Sequence, residues 1–261
     1  MTAARRFGLV QARLQARLAA LPDEPTWERL SAARSLSAFL EEGRRTSLRS
    51  WLRGFSPLSD AHDLERGVRN QFRDTVDAVA GWAPRPWRAA VAWTRWLPYL
   101  PLFAHLQGAD EAPSWMREDL FLRALLDENG RPGVCSWFGP GAARAGAAPP
   151  GMSGPDSAAT DASLGTLWWR EWRARWPRCA RACRRELAAL IALLTAYGVG
   201  AVAPAGGLVA RRELRARLHG RFHRALLQPA TVFTFLALLA LDLERLRGEL
   251  VARALFAAES N

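Results

Sequence analysis

The chain has 261 residues, 49% of them hydrophobic and 23% charged, with a formal net charge of +11. This length and composition exclude a short disulfide-stapled peptide and a disordered polar chain, and they allow a hydrophobic core in one large domain or two small ones. All 36 basic residues are arginine, and isoleucine occurs once, at Ile191. Such usage is typical of a GC-rich genome, where codon bias raises the arginine content, so the net charge alone does not identify an acidic partner.

The arginines are nevertheless concentrated between residues 168 and 224. Only three acidic residues oppose them there, Glu171, Glu186 and Glu213. A basic face turned towards an acidic partner or lipid headgroups is one interpretation, and a merely solvated face is the other.

The cysteines and the N-terminus bear on the cellular compartment. The three cysteines, Cys135, Cys179 and Cys183, do not make a disulfide framework and are typical of a reducing cytosol. The N-terminal stretch is arginine-rich and amphipathic, but it has no uninterrupted apolar core and no small-residue cleavage site. We therefore expect it to form the first helix of the fold and not a secretory signal.

The first half of the chain shows repeated helical periodicity. Leu9 (or Val10), Leu14, Leu18 and Leu21 share one face and predict a first amphipathic helix over 7–21. The buried stripe of a long helix over 60–82 is predicted at Leu64, Val68, Phe72, Val76 and Val79. Thr26 and Ser35 are candidate helix N-caps. Further helices are predicted over 27–30, 36–43, 46–55, 87–106 (bent or broken at Pro98 and Pro101) and 115–126.

The second half begins with a change of character. Residues 130–163 are rich in Gly, Ala, Pro and Ser and have no periodicity, which predicts a flexible linker. Helices are predicted again over 164–176, 179–198, 208–227 and 229–256. No alternating strand pattern occurs, so the sequence predicts an all-α, multi-helix fold with an N-terminal unit (1–129), the linker (130–163) and a C-terminal unit (164–261).

The last predicted helix is apolar on all sides at its start. The apolar run covers residues 230–241, about twelve residues, whereas a bilayer needs ~20. Charges then enter at helical spacing beside a stripe that contains Leu239, Leu243, Leu246, Leu250 and Leu255. This pattern predicts a helix buried at its start and amphipathic at its end, which does not span a membrane.

Motifs of catalysis are missing from the sequence. It contains no P-loop, no Gly-rich dinucleotide loop and no G-x-S-x-G elbow, and His62 and His105 lie in ordinary helical contexts without a nucleophile beside them. We therefore expect no catalytic residues, no bound cofactor and no small-molecule substrate, and an enzyme with an unrecognised site is the last of the alternatives.

Two patterns support alternative functions. Cys179 and Cys183 are four residues apart on one predicted helix, and His219 and His223 on another, so the four could bind tetrahedral zinc, or they could be a buried cysteine pair and two partly exposed histidines. The segment WWREWRARW (168–176) alternates tryptophan with arginine, as single-stranded nucleic-acid binding would require. Helical spacing puts the tryptophans near one face, so packing in the core is favoured over nucleic-acid binding.

The order of the elements is similar to that of a known family. VQARLQARLAAL, WERL and SLSAFLEEGRRTSLRSWL, then a helix containing Leu64-Glu65, resemble the N-terminal part of the C-subunit family of archaeal and bacterial A/V-type rotary ATPases, whose eukaryotic counterpart is the d-subunit. The closing segment resembles the family's last helix at Pro229, Val232, Phe235, Leu236, Asp242, Glu244, Leu246 and Arg247. The resemblance covers roughly residues 7–110 and 205–258. The chain is shorter than is usual in the family, and Gly248 stands where the family has Asn.

This resemblance implies a non-catalytic adaptor. Members of the family sit on the cytoplasmic face of the membrane rotor ring, receive the central shaft, and couple ATP turnover to proton or sodium transport. It would place the protein peripherally on the inner membrane, with rotor-ring and central-shaft subunits as partners. The residues we expect to contact those partners are Arg211, Arg212, Arg215, Glu244 and Arg247.

Overall fold

A computed structural model describes residues 3–106, 112–123, 126, 164–200 and 207–257. These residues are predominantly helical and contain no β-strand, so the predicted all-α fold is confirmed. The predicted linker at 130–163 and Cys135 lie outside the described residues, as does the side chain of His105.

The described helices follow the predicted order closely. They are α1 (Ala3–Ala19), α2 (Glu24–Ser31), α3 (Leu36–Gly43), α4 (Ala61–Trp82), α5 (Arg88–Trp93), α6 (Leu100–Leu106), α7 (Ser114–Glu118), α8 (Leu120–Arg123), α9 (Leu164–Ala174), α10 (Arg181–Gly200), α11 (Gly207–Arg224) and α12 (Pro229–Ala257). Short 3₁₀ turns occupy Ser47–Ser50, Arg85–Trp87 and Thr94–Tyr99.

The chain divides into two compact units. One combines Met1–Arg95 with Pro177–Asn261, and the other is Trp96–Trp176. These units differ from the division predicted from chain order, 1–129 and 164–261. The reason is that α12, at the end of the chain, packs against α1, α3 and α4, which lie near its beginning. In the second unit α9 packs on α6.

Helix α12 is the centre of the larger unit. It packs against α4, α11, α1, α10 and α3, and residues 229–236 are all buried. Neighbours on every side explain why the start of this helix is apolar all round. Farther along, Leu239, Leu243, Leu246 and Leu250 are buried as predicted, whereas Leu255 is 55% exposed and does not continue the buried stripe.

Helix α4 carries the predicted stripe and an unexpected close contact. All five stripe residues from Leu64 to Val79 are buried. Gly67 interrupts the helix with a residue of poor helix propensity, and a Cβ there would lie 2.2 Å from Cε1 of Phe55. The glycine is needed because the buried Phe55 ring lies directly on the α4 backbone.

Local signals account for most helix boundaries. Ser35 caps α3 as predicted, its Oγ accepting the N–H of Ala38 at 3.2 Å. The prediction for Thr26 is wrong: Asp23 caps α2 by accepting the N–H of Thr26 at 3.0 Å, and Pro25 lies inside the first turn. The single bent helix predicted over 87–106 is divided into α5, a 3₁₀ turn containing Pro98, and α6. The helix predicted over 115–126 is divided at Asp119 into α7 and α8.

Candidate partner-binding site

The predicted partner-binding residues lie on α11 and α12, which pack against each other in the larger unit. The buried stripe of α11 is Leu214, Leu218 and Phe222. Arg211 and Arg215 lie three residues before Leu214 and Leu218, and residues three apart are neighbours on a helix surface, so both arginines stand at the edge of the α12 contact.

Arg215 binds a buried carboxylate. Its Nε and Nη2 lie 3.2 and 3.3 Å from the two carboxylate oxygens of Asp242, which is 2% exposed. Arg215 Nη2 also donates to the carbonyl oxygen of Pro22 at 2.8 Å. Burial raises the pKa of Asp242 above its ordinary value, and the neighbouring Arg215 and Arg245 oppose that rise. This pair ties α11 to α12 and to the turn after α1.

Glu24 forms ion pairs with two arginines. Arg245 Nη1 lies 2.9 Å from Oε2 of Glu24, and Arg212 Nη2 lies 2.7 Å from Oε1. Burial by itself would raise the pKa of Glu24, but the hydrogen bonds from Arg245 and Arg212 outweigh it and hold the pKa below its ordinary value. The guanidinium of Arg245 also lies over the Trp27 ring at 4.9 Å from its centroid, a cation–π contact.

The remaining predicted residues are paired as well. Arg211 Nη2 lies 3.2 Å from Oε1 of Glu244, and Arg247 Nη1 lies 2.7 Å from Oε1 of Glu65 on α4. The arginine network on this side thus contains Arg211, Arg212, Arg215 and Arg245 against Glu24, Glu28, Asp242 and Glu244. Positive and negative groups are equal in number, so the network does not present surplus charge.

These contacts give the five predicted residues an intrachain role. Arg211, Arg212 and Arg215 hold α11 to α12 and to α2, and the contact with a partner stays a prediction. Arg245 and Glu24 did not emerge from the sequence, because they are 221 residues apart and only the fold brings them together. The cleft among these side chains measures about 10 Å³, room for about one water molecule, so it does not accommodate a metabolite.

The zinc hypothesis does not agree with the structure. Among the described residues no three His, Cys, Asp or Glu side chains form a cluster that could hold a metal ion. Arg221 of α11 faces α10, where it binds Glu186 at 2.9 Å, and His219 and His223 are each two residues away, roughly 200° around the helix. The histidines therefore do not meet Cys179 and Cys183.

The cysteine and tryptophan groups have structural explanations. Cys183 is buried, and burial together with a hydrogen bond to Cys179 raises the pKa of its thiol to about 12. Trp168 and Trp172 are each 2% exposed and stack with 5.9 Å between ring centroids. Core packing therefore accounts for these two rings, and neither offers an open face to a nucleobase.

Comparison with known proteins does not assign a family. No protein-family model, curated protein or solved structure matches the chain. In the described part of the chain, no helix has the length and apolarity needed to cross a membrane.

Proposed function

We propose that the chain is a non-catalytic central-stalk adaptor of a V/A-type rotary ATPase, which couples the shaft to the membrane rotor ring for proton or sodium transport. In this proposal it lies peripherally on the cytoplasmic face of the inner membrane. Its partners are the rotor-ring and central-shaft subunits.

One observation carries the proposal. Two of the stretches that resemble the C-subunit family, the segment containing Leu64-Glu65 and the closing helix containing Arg247, are far apart in sequence. Glu65 and Arg247 nevertheless form an ion pair of 2.7 Å across 182 residues. The two stretches that carry the resemblance therefore lie side by side in one packed unit, which is the observation that supports the proposal.

The mechanical properties of the larger unit also favour an adaptor. Helix α12 has 29 residues, which corresponds to about 43 Å. It packs against five other helices, and ion pairs connect it to two of them: Asp242 pairs with Arg215 of α11, and Arg247 pairs with Glu65 of α4. An adaptor that transmits torque has to resist bending, and a long helix with a buried side does so because bending would disturb the close packing on that side.

Affinity purification tests the proposal. The chain is tagged in its own host, membranes are solubilised gently, and the co-purifying proteins are quantified, with an untagged strain as control. Rotor-ring and shaft subunits in stoichiometric amounts are expected. Recovery of the chain alone, or with nucleic acid, would contradict the proposal.

A charge-swapped variant separates intrachain from partner contacts. Arg211→Glu/Glu244→Arg retains an ion pair at the observed 3.2 Å position but reverses both charges. If these residues contact a partner, the variant folds normally and loses the ring or shaft subunits. If they serve the fold alone, it co-purifies like the wild type, while the single Arg211→Glu variant is less stable.

A further inference from the structure

The turn between α11 and α12 has an unusual composition. The carbonyl oxygen of Ala225 accepts the N–H of Gln228 at 3.2 Å, so residues 225–228 form a β-turn. Its two corner residues are Leu226 and Leu227, which are 46% and 42% exposed. Leu227 has φ 61°, and it is the single non-glycine residue with positive φ among those described.

Folding alone does not favour leucine at this place. The left-handed region is disfavoured for a residue with a branched side chain, and glycine or asparagine forms such a corner with less strain. Leucine at both corners also gives up nearly half of the burial that normally stabilises it. A strained and apolar turn tip is therefore evidence for a role outside the fold.

Arginines lie at the same end of the larger unit as this turn. Arg221 near the end of α11 binds Glu186 near the start of α10 at 2.9 Å, and the opposite ends of the two helices also meet, with Leu193 and Tyr197 facing Ala210 and Leu214. The helices are therefore antiparallel, and the start of α10 lies beside the end of α11. Five exposed arginines lie in this part of the chain: Arg178 before α10, Arg181, Arg184 and Arg185 at its start, and Arg224 at the end of α11.

These arginines differ from those of the network described above. Among the described residues, no carboxylate lies within ion-pair distance of Arg178, Arg181, Arg184 or Arg224, and Arg185 approaches Glu186 only at 4.0 Å. The first turn of α10 contains no acidic residue. With a rise of 1.5 Å per residue, Arg181 and Arg224 extend roughly 7 and 5 Å beyond the Arg221–Glu186 bridge, towards the same end as the leucine turn.

We propose that this end of the larger unit binds the surface of an anionic lipid bilayer. Leu226 and Leu227 enter the boundary between headgroups and acyl chains, and the arginines donate hydrogen bonds to lipid phosphates while their stems lie along the interface. An anionic bilayer accounts for both the exposed arginines and the exposed leucines. The phosphodiester backbone of a nucleic acid would attract the arginines but has no apolar region for the two leucines. The proposal does not rest on the rotary ATPase assignment.

Vesicle co-sedimentation of the purified full chain tests this surface. We expect binding to vesicles of phosphatidylcholine and phosphatidylglycerol (3:1) that weakens with added NaCl, and little binding to phosphatidylcholine alone. Arg181→Gln/Arg184→Gln should lower the partition coefficient roughly thirtyfold, since each arginine near an anionic surface contributes about a fivefold factor. Leu227→Asn should lower it roughly fivefold to tenfold, with a thermal unfolding midpoint equal to or above that of the wild type.

The matched control is Arg34→Gln/Arg49→Gln, which removes the same charge elsewhere. Both arginines are exposed and have no ion-pair partner among the described residues. The position of Arg34 follows from its neighbour Ala33, whose carbonyl oxygen accepts a hydrogen bond from Arg253 at 2.8 Å. Arg253 lies roughly 36 Å along α12 from the leucine turn, so Arg34 is far from the proposed surface. The control should bind vesicles within about twofold of the wild type.

Three results would overturn the proposal. One is equal binding to both kinds of vesicle or to neither. Another is an equal loss in the control pair, which would mean that net charge alone decides binding. The third is a Leu227→Asn variant that binds as the wild type does while duplex DNA displaces the vesicles, which would assign the arginines to nucleic acid.

Discussion

Replacing Arg215 by methionine should destabilise the larger unit strongly. The change removes the guanidinium but keeps most of the apolar stem, and it leaves the carboxylate of Asp242, 2% exposed, without its main partner. Breaking a buried ion pair from one side costs about 3–5 kcal/mol. Because the Arg215 side chain is itself 22% exposed and Arg245 remains near Asp242, we expect the lower end, about 3 kcal/mol.

The loss should depend on pH in a defined direction. The pKa of Asp242 is already raised by burial, and removing Arg215, which lowers it, raises it further. Because the folded-state pKa of Asp242 lies above its unfolded value, the folded protein takes up a proton first as the pH falls. The loss of unfolding free energy in Arg215→Met should therefore shrink as the pH falls from 7 towards 3.8, the ordinary pKa of aspartate. Each unit of additional pKa shift corresponds to about 1.4 kcal/mol.

Urea unfolding followed by circular dichroism at pH 7 and pH 5 measures both effects. The double variant Arg215→Met/Asp242→Leu should recover most of the lost stability, because an apolar pair carries no desolvated charge. A loss below about 0.5 kcal/mol, an equal loss at both pH values, or a double variant no better than Arg215→Met would refute this account of the pair.

Further changes have equally defined outcomes. Gly67→Ala should lower the unfolding free energy by about 1–3 kcal/mol, because the new Cβ would meet the Phe55 ring, whereas the exposed mid-helix Gly248→Ala, with nothing within 4 Å, should raise it by about 0.5–1 kcal/mol in the same urea assay. Glu24→Gln should cost about 1 kcal/mol at pH 7, and since the folded-state pKa of Glu24 is lowered, that difference should vanish as the pH falls below 4.5. With the other two cysteines replaced by serine, Cys183 should react with an alkylating reagent at pH 8 no faster than the protein unfolds, because burial shields its thiol and raises the thiol pKa. Rapid labelling of the folded protein would contradict its burial.

Periodicity carried the predictions that succeeded. The stripe of α4 and the buried start of α12 follow from the spacing of apolar residues, since a helix has to hide its apolar side. Periodicity alone leaves neighbouring choices open: Val10 is 1% exposed and Leu9 63%, and the sequence allowed either on the buried face of α1. Only the position of α4 and α12 relative to α1 decides between them.

Pairings between distant residues could not be predicted in this way. The carboxylates that bind Arg245 and Arg247 are 221 and 182 residues away, so no local pattern indicates them. For the cysteine and histidine pairs, a local pattern suggested a contact that the fold does not form. Each pair has suitable spacing, but the direction in which α11 faces α10 separates them, and that direction is a property of the packed helices. The sequence did not predict the β-turn at Leu226 and Leu227, because neither corner carries the glycine, proline, asparagine or aspartate from which such turns are usually predicted.

The most direct test of the adaptor proposal removes the chain from its host. In the purified rotary ATPase of a deletion strain, the account predicts that shaft and rotor-ring subunits elute separately in size-exclusion chromatography and co-elute again when the purified chain is added. Shaft and ring subunits that remain associated without the chain would contradict it.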